Sequence, residues 1–198
     1  MATKNKVTDI FSAAAAITAL ASPVREGARR GIVTLDGGWD IIGDVAMEGE
    51  DRVIYDAYAL RRWGTEFGLG EIACGGLQKD TIAEYVGDVE APTHATIHII
   101  WSDLKPFPAI NQALTTPPEG YTNKLHTLVG SWNLIGPTRT MPNGDLEMVD
   151  AAVLRRWGTK HGLGEIVCKG YQSETVAEYV GAVLIPKRAL LHSIRIKS

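Results

Sequence analysis

Two arginines followed by a tryptophan occur twice in the chain, in LRRWGTEFGLGEI at residues 60–72 and in LRRWGTKHGLGEI at residues 154–166. A guanidinium beside an indole can bind a phosphate together with a stacked base. Glycines that follow can bring backbone N–H groups close to an anion. The repeated phrase therefore predicts a site for a small phosphorylated ligand. Its candidate residues are Arg61, Arg62, Trp63, Arg155, Arg156 and Trp157.

In a competing interpretation, the repeated phrase has a structural role and stabilises the fold of each copy. In that case Trp63 and Trp157 fill the cores of their copies, and one arginine stacks on each indole and pairs with Glu71 or Glu165. The glycines serve tight turns equally well. Their spacing matches neither the dinucleotide-binding fingerprint nor a phosphate loop. The sequence favours this second interpretation.

Residues for catalysis or metal binding are sparse. His94 and His98 share a strand face, but the second copy has Arg188 in place of the first histidine. The two cysteines give no zinc-site spacing, and no motif for a serine or cysteine nucleophile is present. We expect a protein that is not an enzyme and that has no cofactor and no metal.

Composition and charge indicate a protein with an apolar core and argue against nucleic-acid binding. Of the 198 residues, 45% are apolar, which is enough for a core. Residues 1–31 contain five basic and two acidic side chains, so their net charge is +3. Because the whole chain has a net charge of −3, the remaining residues have a net charge of −6. An acidic body argues against nucleic-acid binding. Cys74 and Cys168 occupy matching places, and we expect both to be buried thiols of a reducing compartment.

The chain is an internal repeat. A shift of 94 residues places 59–98 over 153–192, and more than half of the positions are identical. The 21 glycines and nine prolines favour short strands joined by turns. We expect an all-β fold of two tandem homologous small β-barrel or sandwich domains with an N-terminal Ala-rich helical arm. The predicted units are the arm at 1–31, repeat 1 at 32–101, a Pro-rich linker at 102–124 and repeat 2 at 125–198.

Within repeat 1, the breaks at glycine and proline delimit six strands. They are predicted at 32–35, 39–42, 53–63, 70–74, 81–86 and 95–101. The linker is expected to be extended, with one helical turn at 109–114.

The arm has no core of its own. Its alanines and its capping residues Thr8 and Asp9 predict a helix, which is too short to span a bilayer. We expect the arm to bind a neighbouring subunit through apolar side chains and through arginines that face acidic groups. These residues are Ile10, Phe11, Ile17, Leu20, Arg25, Arg29 and Arg30.

The repeated phrase, followed by TIAEYVGDV and an apolar strand, resembles a small domain that is encoded singly in many phages and prophages. Such domains carry Arg-x-Trp-Gly-Thr-x-x-Gly-Leu-Gly-Glu. The resemblance covers about half of the chain and implies a compact β domain in a phage context. This chain differs because the domain is doubled and an arm precedes it.

The leading hypothesis is a structural phage protein located in the virion after synthesis in the host cytoplasm. It would decorate or cement the capsid, or act at the head–tail joint. Its partners would be capsid or other virion proteins and further copies of itself, with no membrane. The alternative hypothesis is a soluble phage protein that sequesters a small phosphorylated ligand, such as a defence nucleotide.

Overall fold

The computed structural model describes residues 21–49, 51–102, 114 and 116–196, and these residues form mainly strands. The strands are β1 Arg29–Leu35, β2 Trp39–Glu48, β3 Asp51–Arg62, β4 Ile82–Ala91, β5 Thr96–Trp101, β6 Thr122–Leu128, β7 Asn133–Thr140, β8 Leu146–Arg156, β9 Val176–Ile185 and β10 Leu190–Arg195. Two short helices are α1 Leu69–Gly75 and α2 Leu163–Lys169. Three 3₁₀ turns lie at Thr93–Ala95, Val129–Ser131 and Lys187–Ala189.

All ten strands belong to one antiparallel sheet, in the order β10-β6-β7-β8-β9-β5-β1-β2-β3-β4. We call residues 29–101 the first half and residues 122–195 the second half. Each half contributes five neighbouring strands in the same internal order. The halves join where β5 of the first pairs with β9 of the second, at Ile99 with Leu184 and at Ile100 with Val183. The contact is head to tail, because different edges of the two halves meet.

The two halves bend at corresponding places. Asp56 in β3 and Asp150 in β8 both have a positive φ, of 48° and 46°. Each lies at a shift in strand register, which marks a β-bulge. Aspartate tolerates this backbone region better than most residues do. The bulges increase the local twist of the long strands in both halves.

The main core is shared by the two halves. Ile32, Leu60 and Ile72 of the first half belong to the same buried cluster as Leu134 and Val183 of the second. Two smaller clusters lie mainly within the first half and within the second. Contiguous apolar burial across the two halves makes them mutually dependent for stability.

The prediction of two separate barrels or sandwiches is therefore wrong, although the all-β character is confirmed. The sheet is open, and among the described residues β4 and β10 each have a single strand neighbour. A barrel closes only when its two edge strands meet. Here β5, an edge of the first half, pairs with the second half instead, and the apolar side chains of β9 support that contact.

The predicted strand at 70–74 is also wrong, because these residues lie in α1. A short apolar run does not distinguish a strand from a buried helix. Glu71 favours the helix over a strand, because its carboxylate accepts hydrogen bonds from the backbone N–H groups of Phe67 and Gly68 at the helix start.

Residues 1–20 of the predicted arm and residues 103–113 of the linker lie outside the described residues. The strand β1 begins at Arg29 and β6 begins at Thr122, so each starts slightly before the predicted repeat. No helix in the described part of the chain is long and apolar enough to cross a membrane.

Candidate functional site

One part of the repeated phrase forms a tight turn in both halves. Gly64 and Gly158 have φ values of 64° and 61°. A side chain at either position would overlap the backbone of Asp80 or Glu174. Only glycine fits such a close approach at positive φ.

The same turn is held by equivalent hydrogen bonds. The Thr81 hydroxyl donates to the carbonyl oxygen of Trp63 at 2.5 Å. In the second half, the Thr175 hydroxyl donates to the carbonyl oxygen of Trp157 at 2.6 Å. This part of the phrase thus supports the folding interpretation.

A second part of the phrase forms the contact between the halves, which we call the junction. There α1 lies on β9, and the Gly70 N–H donates to the Glu178 carboxylate. A Cβ at Gly70 would overlap the backbone oxygen of Tyr179, and one at Gly68 would overlap the guanidinium of Arg155. The glycines of Gly-Leu-Gly therefore permit close packing between two pieces of protein.

Arg155 lies at the centre of the junction. Its Nη2 and Nε lie 2.5 Å and 2.6 Å from Oε2 of Glu178. Its guanidinium carbon lies 5.4 Å from the Trp63 ring centre and 5.1 Å from that of Trp132. Because Trp63 belongs to the first half and the other residues to the second, the arginine joins the two.

Burial changes the titration of two groups at the junction. Burial raises the pKa of Glu178 to about 7, although Arg155 acts in the opposite direction. Burial and the charge of Arg155 lower the pKa of His98 to about 3. His98 is fully buried 4.5 Å from the Trp132 ring, and neither of its ring nitrogens has a hydrogen-bond partner among the described residues. The junction therefore contains a histidine that is neutral at pH 7.

Trp63 is also fixed through its polar edge. Its Nε1–H donates to the Asp40 carboxylate at 3.0 Å, and the Thr34 hydroxyl donates to the same carboxylate at 2.6 Å. Burial raises the pKa of Asp40. The indole is thereby held in one orientation toward Arg155.

The first half repeats the arginine–glutamate pair at its outer edge. Arg61 Nη2 lies 2.5 Å from Glu84 Oε2, and its guanidinium carbon lies 4.6 Å from the Trp39 ring centre. The side chains of Arg61 and Glu84 are 44% and 32% exposed, whereas those of Arg155 and Glu178 are 25% and 0% exposed. The same three residue types thus form the same cluster, once covered and once open to solvent.

The second half leaves its own helix uncovered. Five of the seven residues of α1 are buried, but only Ile166 of α2 is buried. Gly162 and Gly164, the counterparts of Gly68 and Gly70, have no atoms within 4 Å of an added Cβ. The expected burial of Trp157 and Cys168 is wrong for this reason, since Trp157 is 41% exposed and Cys168 is exposed, whereas Cys74 is buried.

The structure brings together only two of the six predicted ligand-binding residues. Trp63 and Arg155 meet at the junction and line a cavity of about 300 Å³ together with Gly68. Arg61 lies at the outer edge of the sheet, and Arg156 donates from Nε to the Glu174 carbonyl oxygen at 3.1 Å. Arg62 and Trp157 lie at the exposed strand ends, outside this cavity.

The described arginines of the arm contact the chain's own sheet. Arg30 Nε donates to Asp44 Oδ1 at 2.8 Å, and the Arg25 backbone N–H donates to Oδ2 of the same residue at 2.8 Å. Arg29 lies with its guanidinium carbon 4.6 Å from the Trp101 ring centre. The other predicted contacts lie outside the described residues. They are Ile10, Phe11, Ile17 and Leu20.

Sequence reasoning missed the partners of the arginines. It assigned them to Glu71 and Glu165, whereas the structure pairs them with Glu84 and Glu178. A signal was present, because both of these glutamates lie in the repeated segment AEYVG. Trp39 and Trp132 likewise lie in the corresponding segments GWDIIG and SWNLIG.

A larger cavity, of about 450 Å³, was not predicted. It is lined by residues of both halves, among them Arg52, Thr93 and Asp145. Arg52 donates to the Thr93 hydroxyl at 3.1 Å and lies 3.6 Å from Asp145. Comparison of the two repeats could not reveal this cavity, because Arg52 is not repeated: the equivalent residue in the second half is Leu146.

Comparison of the chain with protein-family models, with curated proteins and with solved structures found no match. No group of three or more His, Cys, Asp or Glu side chains suited to a metal ion occurs in the described ranges 21–49, 51–102 and 116–196. The geometry of the junction is therefore the principal basis for a functional proposal.

Proposed function

We propose that this chain is a non-enzymatic structural protein of a phage particle, built from a duplicated β unit with an N-terminal arm. It acts in capsid decoration, cementing or a head–tail accessory role. The observation that carries the proposal is the junction. There the repeated Arg-Trp and Gly-Leu-Gly elements form a contact between protein surfaces.

The distribution of exposed apolar side chains supports an assembly role. Eight large apolar residues are exposed in the described ranges, and four of them lie in the edge strands β4 and β10. Exposed apolar patches of this kind mark protein–protein contacts. These four are Ile82, Tyr85, Val86 and Leu191.

The open strand edges give further support. Unpaired N–H and C=O groups on an edge strand can pair with another chain. Both β4 and β10 have this property among the described residues. The phage context and the virion location rest on the resemblance of the repeated phrase. The proposed partners are capsid or other virion proteins.

Gradient centrifugation of phage particles tests this function. The full chain, carrying a small epitope tag, is produced in cells infected by the phage that encodes it. We expect the tag to sediment with intact, DNA-filled particles, whereas a tagged host protein stays at the top of the gradient. A tag found only in the soluble fractions, in particles that are otherwise complete, would contradict the proposal.

A second candidate function is the binding of a small phosphorylated ligand. It is favoured by the cavity at Trp63 and Arg155 and by the pKa of Glu178 near 7, which leaves the arginine incompletely neutralised at neutral pH. Isothermal titration with mononucleotides and cyclic dinucleotides tests it. A dissociation constant below ~10 µM would support this function, because weaker binding would not sequester a scarce ligand. The absence of binding heat would exclude it for these ligands.

A further inference from the structure

We propose that copies of this chain associate head to tail, with β4 of one copy pairing with β10 of the next. The contact would repeat between copies the junction that β9 and β5 form within each copy. This inference rests on the proposed assembly function and specifies a second copy of this chain as a partner.

The outer surface at β4 has the same key residues as the covered surface at β9. Arg61 and Glu84 form the same ion pair as Arg155 and Glu178. Tyr85 and Val86 follow Glu84, as Tyr179 and Val180 follow Glu178. Val86 is 40% exposed, whereas Val180 is fully buried. We call Arg61, Glu84, Tyr85 and Val86 the β4 face.

The outer surface at α2 matches the surface that α1 presents at the junction. Trp157, Gly162 and Gly164 correspond to Trp63, Gly68 and Gly70. The space beside both free glycines is open, and it corresponds to the space that Arg155 and Tyr179 fill at the junction. We call Trp157, Gly162 and Gly164 the α2 face. It has the small residues that a neighbouring β4 face requires.

The strand register extends the match to the sheet edges. At the junction, Ile99 is opposite Leu184 and Ile100 is opposite Val183. The same register between copies places Ser193 opposite Glu90 and Ile194 opposite Val89. One further step places Arg195 opposite Asp88. At the junction the corresponding residues are Trp101 and Ala182, so an apolar pair is replaced by two opposite charges.

Charge therefore favours this association and its direction. β4 carries Asp88 and Glu90, whereas β10 and the turn before it carry Lys187, Arg188 and Arg195. Opposite charges across paired strands are stabilising, and like charges are destabilising. Pairing of two β4 edges would place acidic residues together, and pairing of two β10 edges would place basic residues together. A head-to-tail contact is thus preferred, and it generates rings or filaments.

Two variants block one face each. Gly164→Leu fills the open space on the α2 face, and in the single chain its Cβ meets nothing within 4 Å. Glu90→Arg places a positive charge on exposed β4, beside the proposed position of Arg195. Glu26→Leu is the matched control, because it adds an exposed leucine on the loop before β1, at a residue that belongs to neither the β4 face nor the α2 face.

Light scattering after size-exclusion chromatography tests the proposal with the full chain. We expect the wild type and Glu26→Leu to form species larger than a monomer as the concentration rises to ~100 µM, within the range of weak protein contacts. Each blocked variant should be monomeric at that concentration. An equimolar mixture of the two should form a dimer, because each variant retains the face that the other lacks. Thermal melting by circular dichroism should show that all variants are folded.

Three results would overturn the proposal. The first is a wild type that is monomeric at ~100 µM, since a dissociation constant above this value would be weak even for a transient contact. The second is self-association of either blocked variant to the same extent as the wild type. The third is a mixture of the two variants that stays monomeric. A monomeric wild type that still sediments with phage particles would reject self-association and retain the proposed function. A wild type that self-associates but does not sediment with phage particles would retain the self-association and reject the proposed function.

Discussion

α1 and α2 have nearly the same sequence but different surroundings. Both contain Leu-Gly-Glu-Ile and a cysteine. The first helix packs on β9, so that Leu69 and Cys74 are buried, whereas Leu163 is half-buried and Cys168 is exposed. The comparison shows that these residues encode a surface that can be covered, and that a neighbour decides whether it is.

The surfaces at β9 and β4 also have equivalent residues in different surroundings. The Arg155–Glu178 pair is covered by α1 and by Trp63, and burial raises the pKa of Glu178 to about 7. The Arg61–Glu84 pair has similar geometry in solvent. An ion pair of this kind contributes little when exposed, but breaking it when buried leaves a polar group without its partner. The first-half pair is therefore dispensable for the fold of a single chain, and the second-half pair is not.

The largest difference is expected at the glycines of the helices. Gly70→Leu should lower the free energy of unfolding by at least ~3 kcal/mol, because the side chain overlaps the β9 backbone. Gly164→Leu should change it by less than ~1 kcal/mol, since leucine is the better helix former and the space is open. Urea unfolding measured below the association concentration checks both. Equal effects would show that the two helices are in the same environment.

The next difference concerns the arginines. Arg155→Ala should destabilise the chain by about 2 to 4 kcal/mol, because Glu178 remains buried without its partner. Arg61→Ala should cost less than ~1 kcal/mol, the range of exposed ion pairs. Both values come from the same urea titrations. A large loss in Arg61→Ala would contradict an uncovered β4 face.

A smaller effect should appear in the pH dependence of stability. The folded-state pKa of His98 is about 3, compared with an ordinary 6.5, so between these values the unfolded chain binds a proton that the folded chain does not. Stability contributed by neutral His98 is therefore present above pH 6.5 and is lost as the pH falls toward 3. Glu178 acts in the opposite sense. Its pKa is raised from 4.5 to about 7, so its contribution is lost as the pH rises through that window.

Two histidine variants separate these contributions. His98→Gln should flatten the decline of stability between pH 6.5 and 3. Part of the decline should remain, because burial and Lys124 lower the pKa of His126 to about 4. His192→Gln is the matched control, because it removes a histidine from the exposed strand β10, and His98→Gln should flatten the profile more than this control does. An unchanged profile in His98→Gln would show that His98 is not buried as a neutral group.

The smallest effect is chemical. In native dilute protein, Cys168 should react with a thiol reagent at least ~10-fold faster than Cys74, because the exposed thiol is accessible to the reagent and the buried one is not. Mass spectrometry of the modified peptides measures both rates. Raising the protein concentration should slow Cys168 and leave Cys74 unchanged. A rate for Cys168 that does not depend on concentration would oppose coverage of α2.

Much of the fold could be predicted from local sequence. Gly37, Gly38 and Pro92 delimit strands as expected, and the repeat identifies equivalent elements. The helix over 69–75 could not be distinguished from a strand, since a run of five residues satisfies both patterns. The single open sheet could not be predicted, because it depends on which strand edges meet.

The candidate site was predicted in part. The repeated phrase drew attention to Arg155 and Trp63, which do meet. Its two copies have almost the same residues but do not share the same role, and sequence identity alone cannot indicate which copy is covered. Glu178 was missed because it lies far from Arg155 in sequence and approaches it only through the pairing of β8 with β9.

Hydrogen exchange as a function of concentration tests whether the α2 face of one copy covers the β4 face of the next. Amide exchange in the peptides that cover α1, α2 and β4 is compared at ~1 µM and ~100 µM, since exchange reports local opening and coverage. We expect α2 and β4 to gain protection together as the concentration rises, while α1 is protected at both concentrations. Equal exchange of α2 and β4 at the two concentrations would contradict the claim that these faces cover each other.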